Sequence, residues 1–373
     1  MIKVSQGCLG KEELAQVEDA FGYGYFGMAS KVVEFEEKLA AYLGGGQAAA
    51  VNSGTSALHL ALDALGLGPG DEVIVPSLTF VASFQAVSAT GARPVACEVS
   101  GDTLLIDLDD VRNRITGRTK AIMPVHYGGN PCDMDSLLEI GREYNLKIVE
   151  DAAHAFGSFY KGKKIASFGD LTCFSFDSIK NITCGEGGAI VSRDNDLMEL
   201  IKQKRLLGMD RKTHVSDWRE RSWFYEVRTQ GFRYHMSNIN AAIGLAQLGK
   251  ADAFAARRRQ ICLEYDAAFQ SLPLIRCLNV NYTDVFPHIY VILVQNGQRN
   301  NLMSFLKERD IETAINYIPN HFHSFYKEEK TFLPVTEKVF EEILTLPLHC
   351  RLSDEDVEKV IEGVKSWASI TTE

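Results

Sequence analysis

Apolar residues recur along this chain in two rhythms. Over residues 11–21 and 31–43 they return every three or four positions, the spacing of one face of a helix. From residue 48 onward, short apolar runs alternate with helical stretches. The runs 48–51, 72–75, 94–97, 121–124 and 146–149 read as strands, and 55–65, 80–89 and 134–144 as helices. Strands without polar interruption are buried on both faces, so the alternation predicts an α/β sandwich around a mostly parallel sheet. Such sheets bind ligands beyond the carboxyl ends of their strands. Two more apolar runs, 171–176 and 189–191, precede a helix over 194–204. A polar excursion carrying Trp218 and Trp223 is expected over 210–231, then one long helix over 237–269 with Ser237 as its N-cap. Beyond it strands become fewer: one over 289–294, a helix over 300–309, and a closing helix over 354–367 capped by Ser353. That suits a smaller α+β unit, and a boundary is set near Lys250, giving a large domain over 1–250 and a small one over 251–373.

Composition narrows the class. The 373 residues are 46% hydrophobic, enough for a large core. The formal charge is 39 − 49 = −10, which argues against a nucleic-acid or anionic-membrane surface. Eight scattered cysteines form no CxxC pair and read as reduced thiols of a cytoplasmic protein. The opening MIKVSQGCLG has no signal-peptide core, and no apolar run approaches membrane-spanning length. Residues 23–28, YGYFGM, form an aromatic, glycine-rich loop that is either an exposed surface or one wall of a pocket.

Chemistry concentrates in four stretches. In LTCFSFDSIKNITCGEGGAIV (171–191), the single Lys180 sits between two apolar strands beside a glycine-dense turn. A lone lysine is commonly a solvated charge. Apolar surroundings instead disfavour its ammonium and leave a nucleophilic amine, the group that forms a Schiff base with a carbonyl. In VNSGTSALHLAL (51–62), a strand ends at a glycine turn and a helix begins near Thr55 and Ser56. Free N–H groups at such a start, with two hydroxyls, suit a phosphate, although a capped helix explains the same residues. In LKIVEDAAHAFGS (146–158), Asp151 lies just past a strand, where a carboxylate either caps a helix or holds a cationic group. Glu150 faces the other way, because neighbouring strand residues alternate. His154 serves either as a structural hydrogen-bonding group or as a catalyst. In PSLTFVAS (76–83), Phe80 is either a core aromatic or a ring stacked on a planar ligand. Together these supply a phosphate cradle, a carboxylate for a ring nitrogen, an aromatic face and an amine for an aldehyde, the four requirements of pyridoxal 5′-phosphate.

The order GTSAL, PSLTF, VEDAAHAFGS, FSFxxxKNxxxGEGG and MSNINAAIGLAQL resembles the DegT/DnrJ/EryC1/StrS family of vitamin B6-dependent nucleotide-sugar aminotransferases. The likeness runs over nearly the whole chain. It implies the fold type I (aspartate aminotransferase-like) architecture: a large three-layer α/β/α domain, a small C-terminal α+β domain, and a homodimer with composite active sites. By position it makes Lys180 the Schiff-base lysine and Asp151 the partner of the pyridinium nitrogen. Phe80 stacks on the ring, and Gly54, Thr55, Ser56 and Ser175 hold the phosphate. His154 lies near the phenolic oxygen, and Asn238 reaches the phosphate of the neighbouring subunit. The implied reaction moves an amine from L-glutamate to a nucleotide-linked 3- or 4-keto-6-deoxy sugar, in surface polysaccharide or glycosylated natural products. Two stretches depart from the family: Asp177-Ser178-Ile179 replaces His-Pro-Thr before the lysine, and Phe232-Arg233-Tyr234-His235 replaces Asn-Tyr-Arg. Both bear on which sugar is taken. A dehydratase branch replaces the lysine with histidine, so Lys180 favours transamination. A non-catalytic sugar-nucleotide-binding protein has no use for Lys180 and Asp151 together.

Overall fold

A computed structural model describes residues 1–210, 225–328 and 331–372, with the Thr372 side chain left aside. Residues 211–224 of the expected polar excursion, with both tryptophans, lie outside the described residues. Seven strands form the main sheet: β1 Gln47–Val51, β2 Glu72–Pro76, β3 Arg93–Cys97, β4 Thr119–Ile122, β5 Lys147–Asp151, β6 Leu171–Ser175 and β7 Gly188–Ser192. Their order is β1-β7-β6-β5-β4-β2-β3. The pairs from β3 through β6 are parallel, and β7 runs antiparallel to both its neighbours. Reversing β7 brings the glycine turn before it to the same end of the sheet as the start of the first core helix.

The helices are α1 Lys11–Gly22, α2 Ser30–Tyr42, α3 Gly54–Ala64, α4 Val81–Ala89, α5 Leu108–Arg114, α6 Met134–Tyr144, α7 Asn195–Lys204 and α8 Asn238–Phe269. Strand alternation sorts side chains between two faces. Ala49 and Val51 of β1, Val73 and Val75 of β2 and Val149 of β5 bury against α3, α4 and α7. Ala48 and Ala50 face α2 and α8, whereas Ile74, Ile122 and Ile148 face α5 and α6. The result is a three-layer α/β/α domain. Burial on both faces explains why these strands read as unbroken apolar runs.

The small sheet has the order β8-β9-β10, with β8 Ile275–Cys277, β9 Tyr290–Val294 and β10 Ile343–Leu346 all antiparallel. It packs with α9 Arg299–Lys307, α10 Pro334–Glu342, α11 Asp354–Thr372 and the second half of α8. The helix α8 crosses Lys250 unbroken, and its side chains join the small core from Ile261 onward. Ile2 bridges Ile311, so the first residues of the chain also lie against this small unit. Along β9, Tyr290, Ile292 and Val294 fill the small core, while Val291 and Leu293 pack with Leu78, Val99 and Tyr127 at the junction with the large one. That packed junction presents the loop before β9 to the carboxyl ends of the large sheet.

Candidate active site

The site is built where β1, β5 and β6 end. Ser53 caps α3, its Oγ accepting from the Ser56 N–H at 3.1 Å. The N–H groups of Gly54 and Thr55 have no partner within the helix and lie at the positive end of its dipole. Gly54 is required by crowding: a Cβ there would stand 2.7 Å from Ser175 Cβ at the end of β6. Gly188 is crowded in the same way, since a Cβ would run into the Ser53 carbonyl. The structure therefore brings Gly54, Thr55 and Ser175 together, with Thr55 exposed. Ser56 differs from expectation. It is buried, its hydroxyl pairs with Asn52 Oδ1 and with Ser53 Oγ, and it completes the helix start instead of facing outward.

Asp151 is the last residue of β5 and is 4% exposed. Its Oδ2 accepts from Ser83 Oγ at 2.7 Å and its Oδ1 from the Ala153 N–H at 3.1 Å. Burial raises its carboxyl above the ordinary range, while Ser83, the Ala153 N–H and Lys180 pull it back. Glu150 points to the opposite face, as alternation requires: its carboxylate meets Thr172 Oγ1 at 2.7 Å and His126 Nε2 at 3.0 Å.

Lys180 sits in the turn after β6, its N–H donating to the Asp177 carbonyl at 3.1 Å. Burial pushes its amine down from 10.5 to about 8, although the Asp151 and Asp177 carboxylates favour the ammonium. Lys180 and Asp151 thus lie within each other's field. The Lys180 Nζ is 3.5 Å from His288 Nε2, on the loop before β9. His154 is 4% exposed, and its ring lies 4.3 Å from that of His288. The Gly128 N–H donates to His154 Nδ1 at 3.3 Å, so the ring proton belongs on Nε2, which donates to Tyr317 OH at 2.9 Å. Burial, and then the Lys180 charge, hold both imidazoles neutral.

Phe80 is the N-cap residue of α4 and is 55% exposed, its ring 5.6 Å from that of Tyr317. It is an open aromatic face at the site, not part of the core. Asn238 is the first residue of α8. It is fully buried, its Oδ1 accepts from the Lys31 N–H at 2.9 Å, and its N–H donates to the Phe26 and Gly27 carbonyls. It joins α8 to α2 and the aromatic loop within the chain. Its Nδ2 has no hydrogen-bond partner among the described residues. The loop's own Tyr23, Tyr25 and Phe26 are exposed. Ser83, His288 and Tyr317 were not foreseen. Ser83 lies in the same stretch as Phe80, three residues on, and could have been found there. The other two carry no local signal.

A half-buried lysine of lowered proton affinity, in the field of a buried carboxylate at the ends of a parallel sheet, defines an enzyme of the Schiff-base, vitamin B6 kind. Residues 7–365 match the model of the DegT/DnrJ/EryC1/StrS aminotransferase family, and the chain belongs to that family. It is a pyridoxal phosphate-dependent aminotransferase. It is 38% identical over 367 residues to the spore coat polysaccharide biosynthesis protein SpsC of Bacillus subtilis, covering 96% of this chain and 94% of that one. Among solved structures, the aminotransferase TlmJ of Streptoalloteichus hindustanus superposes with a TM-score of 0.93 at 36% identity, each chain fully covered. The PLP form of Spr1654 from Streptococcus pneumoniae gives 0.91 at 31% identity, with 99% of each chain covered.

The residues present fit the cofactor. Asp151 is a buried carboxylate that a cationic ring nitrogen would stabilise. Gly54 and Gly188 keep Cβ atoms away from a helix start whose first N–H groups suit a phosphate.

Proposed function

We propose that this aminotransferase moves an amino group from L-glutamate to a nucleotide-linked 3- or 4-keto-6-deoxy sugar, for surface polysaccharide or glycoside synthesis. The observation that carries the chemistry is the pairing of Lys180, its amine depressed to about 8, with the buried Asp151. The sugar acceptor is supported by relatives: SpsC by its spore coat polysaccharide role, and PseC of Helicobacter pylori, at 29% identity and a TM-score of 0.91, by its part in pseudoaminic acid biosynthesis.

Bound here, pyridoxal phosphate supplies an aldehyde that condenses with amines and a ring that takes up the electron pair left by a broken C–H bond. In this reading Asp151 Oδ2, steadied by Ser83, holds the proton of the ring nitrogen. Phe80 covers one face of the ring and keeps water from it. The Gly54 and Thr55 N–H groups, with the Thr55 and Ser175 hydroxyls, hold the phosphate. The Tyr317 OH accepts from His154 Nε2 and so turns its own proton toward the ligand. Lys180 would be the amine that holds the cofactor's aldehyde. Once released, its Nζ takes the proton from one carbon and returns it to another, as a general base with a proton affinity near neutral pH.

We further assign residues 1–250 to cofactor binding and 251–373 to the small domain. A homodimer is proposed because Leu14, Phe21, Tyr23, Tyr25 and Phe26 leave an exposed apolar surface around α1. A cytoplasmic enzyme is proposed because none of the eight cysteines forms a disulfide. The deciding experiment loads the protein with pyridoxamine phosphate and mixes it with a panel of nucleotide-linked keto sugars. Recovery of the aldehyde form's visible absorbance with one of them identifies the acceptor. Recovery only with simple keto acids contradicts the sugar assignment.

A further inference from the structure

We infer that His288 is a positioning residue for Lys180 in this aminotransferase. Its Nε2 accepts a hydrogen bond from the Lys180 amine whenever that amine is free, and so keeps Nζ aimed into the site. The inference rests on the role of Lys180 proposed above.

A lysine released from a carbonyl swings on a flexible four-carbon stem, and proton transfer demands that it be held in reach. The structure provides a holder that is buried and fixed at its backbone. His288 is 3% exposed. Its N–H donates to the Gly128 carbonyl at 2.9 Å, and its own carbonyl accepts from Arg258 Nη1 at 2.9 Å. The same guanidinium donates to the Leu348 carbonyl at 3.1 Å, clamping the entry to β9 against the exit from β10. The ring is flanked by His154 at 4.3 Å.

Side-chain pairing then singles out Lys180. His288 Nδ1 has no hydrogen-bond partner among the described residues, and Nε2 meets Lys180 Nζ at 3.5 Å, the long end of the range. Burying an imidazole with an unpaired ring nitrogen costs stability, and a phenyl ring would fill the same space without that cost. The contact with the lysine is what a phenyl ring could not supply. Distances of this kind shorten when the reacting complex forms.

The groups facing Lys180 are Asp151 from the end of β5, Asp177 from its own turn, His154 from the loop after β5, and His288. The two carboxylates favour the ammonium. The two imidazoles stay neutral, so His288 offers a lone pair. A hydrogen bond to the protonated amine raises its proton affinity, and removing the acceptor lowers it.

The test uses the apoprotein. Acylation of Lys180 is followed by peptide mass spectrometry across pH, and its midpoint is read for wild type, His288→Phe and His288→Gln. The Phe variant should move the midpoint down by at least about half a unit, and Gln, whose Oε1 can accept near the same place, should restore it. With pyridoxal phosphate bound, single-turnover loss of visible absorbance on adding glutamate should slow by at least about tenfold in the Phe variant and recover in Gln. Should the Phe variant fail to fold by circular dichroism, His288→Asn, which leaves the place of Nε2 empty, carries the same expectation. A folded variant that keeps the wild-type midpoint overturns the inference, whatever its rate. Lys180→Ala separates the two levels: if it still turns over, the reading of the lysine fails. If it is inactive while His288→Phe behaves as wild type, only the present inference fails.

Discussion

Ser83 donates to Asp151 across 2.7 Å, from the first turn of α4 to the last residue of β5. The serine lowers the proton affinity of a buried carboxylate that burial pushes up. Replacing Ser83 with Ala should raise the Asp151 proton affinity and weaken cofactor binding about tenfold, the effect of losing about 1.5 kcal/mol from a hydrogen bond to a charged group. Titration of the visible absorbance measures this, and unchanged affinity would show that Ser83 is idle.

Crowding at the helix start gives a second test. Gly54→Ala puts a methyl group 2.7 Å from Ser175 Cβ, and overpacking of that kind costs about 1–3 kcal/mol. Cofactor affinity and melting temperature should both fall. Removing the obstacle with Ser175→Gly in the same chain should recover the melting temperature, although the phosphate then lacks a hydroxyl. A single Gly54→Ala variant with normal affinity contradicts the close-approach argument.

Much of this site was legible because its signals are local. The strand that ends at Val51, the glycine after it, and Lys180 between the apolar runs 171–176 and 189–191 are each read within one short stretch of chain. Asp151 and Glu150 were separated correctly by alternation alone. What escaped comes from distant parts of the chain. His288 is 108 residues from Lys180, and Tyr317 is 163 residues from His154, so neither contact leaves a mark on local pattern. The burial of Asn238 was hidden for a different reason. The first residue of a helix usually looks outward, but here α2 crosses it and the Lys31 N–H draws its oxygen inward. The short strands β8 and β10 were missed because three or four residues carry too little alternation to stand out.

Two buried neutral imidazoles make stability depend on acidity. His154 and His288 lie well below the ordinary value of 6.5, whereas in the unfolded chain they titrate near it. Below that pH the unfolded state binds more protons, so the folded state loses stability as pH falls. The limit is about 1.4 kcal/mol per pH unit for each histidine. In the apoprotein, His154→Gln should remove one of these slopes. Urea melts between about pH 7 and pH 5 should show the variant gaining on wild type as pH falls. Parallel curves would mean that His154 is not buried neutral.

A purely structural pair offers a control away from the chemistry. Glu36 Oε1 accepts from the Ala50 N–H at 2.7 Å and pairs with Arg205, which also donates to the Ala50 carbonyl at 2.7 Å. Glu36→Ala strands a guanidinium that is only 4% exposed and should cost about 3–5 kcal/mol in a denaturant melt. Turnover per folded molecule should remain near wild type, since neither residue touches the site.

The account turns on which amine holds the cofactor. Borohydride reduction of the enzyme loaded with pyridoxal phosphate, followed by peptide mass spectrometry, reads this directly. The cofactor mass should be fixed on the peptide that carries Lys180, at that residue, and Lys180→Ala should show none. Stoichiometric labelling of any other lysine, or of Lys180→Ala itself, contradicts the account.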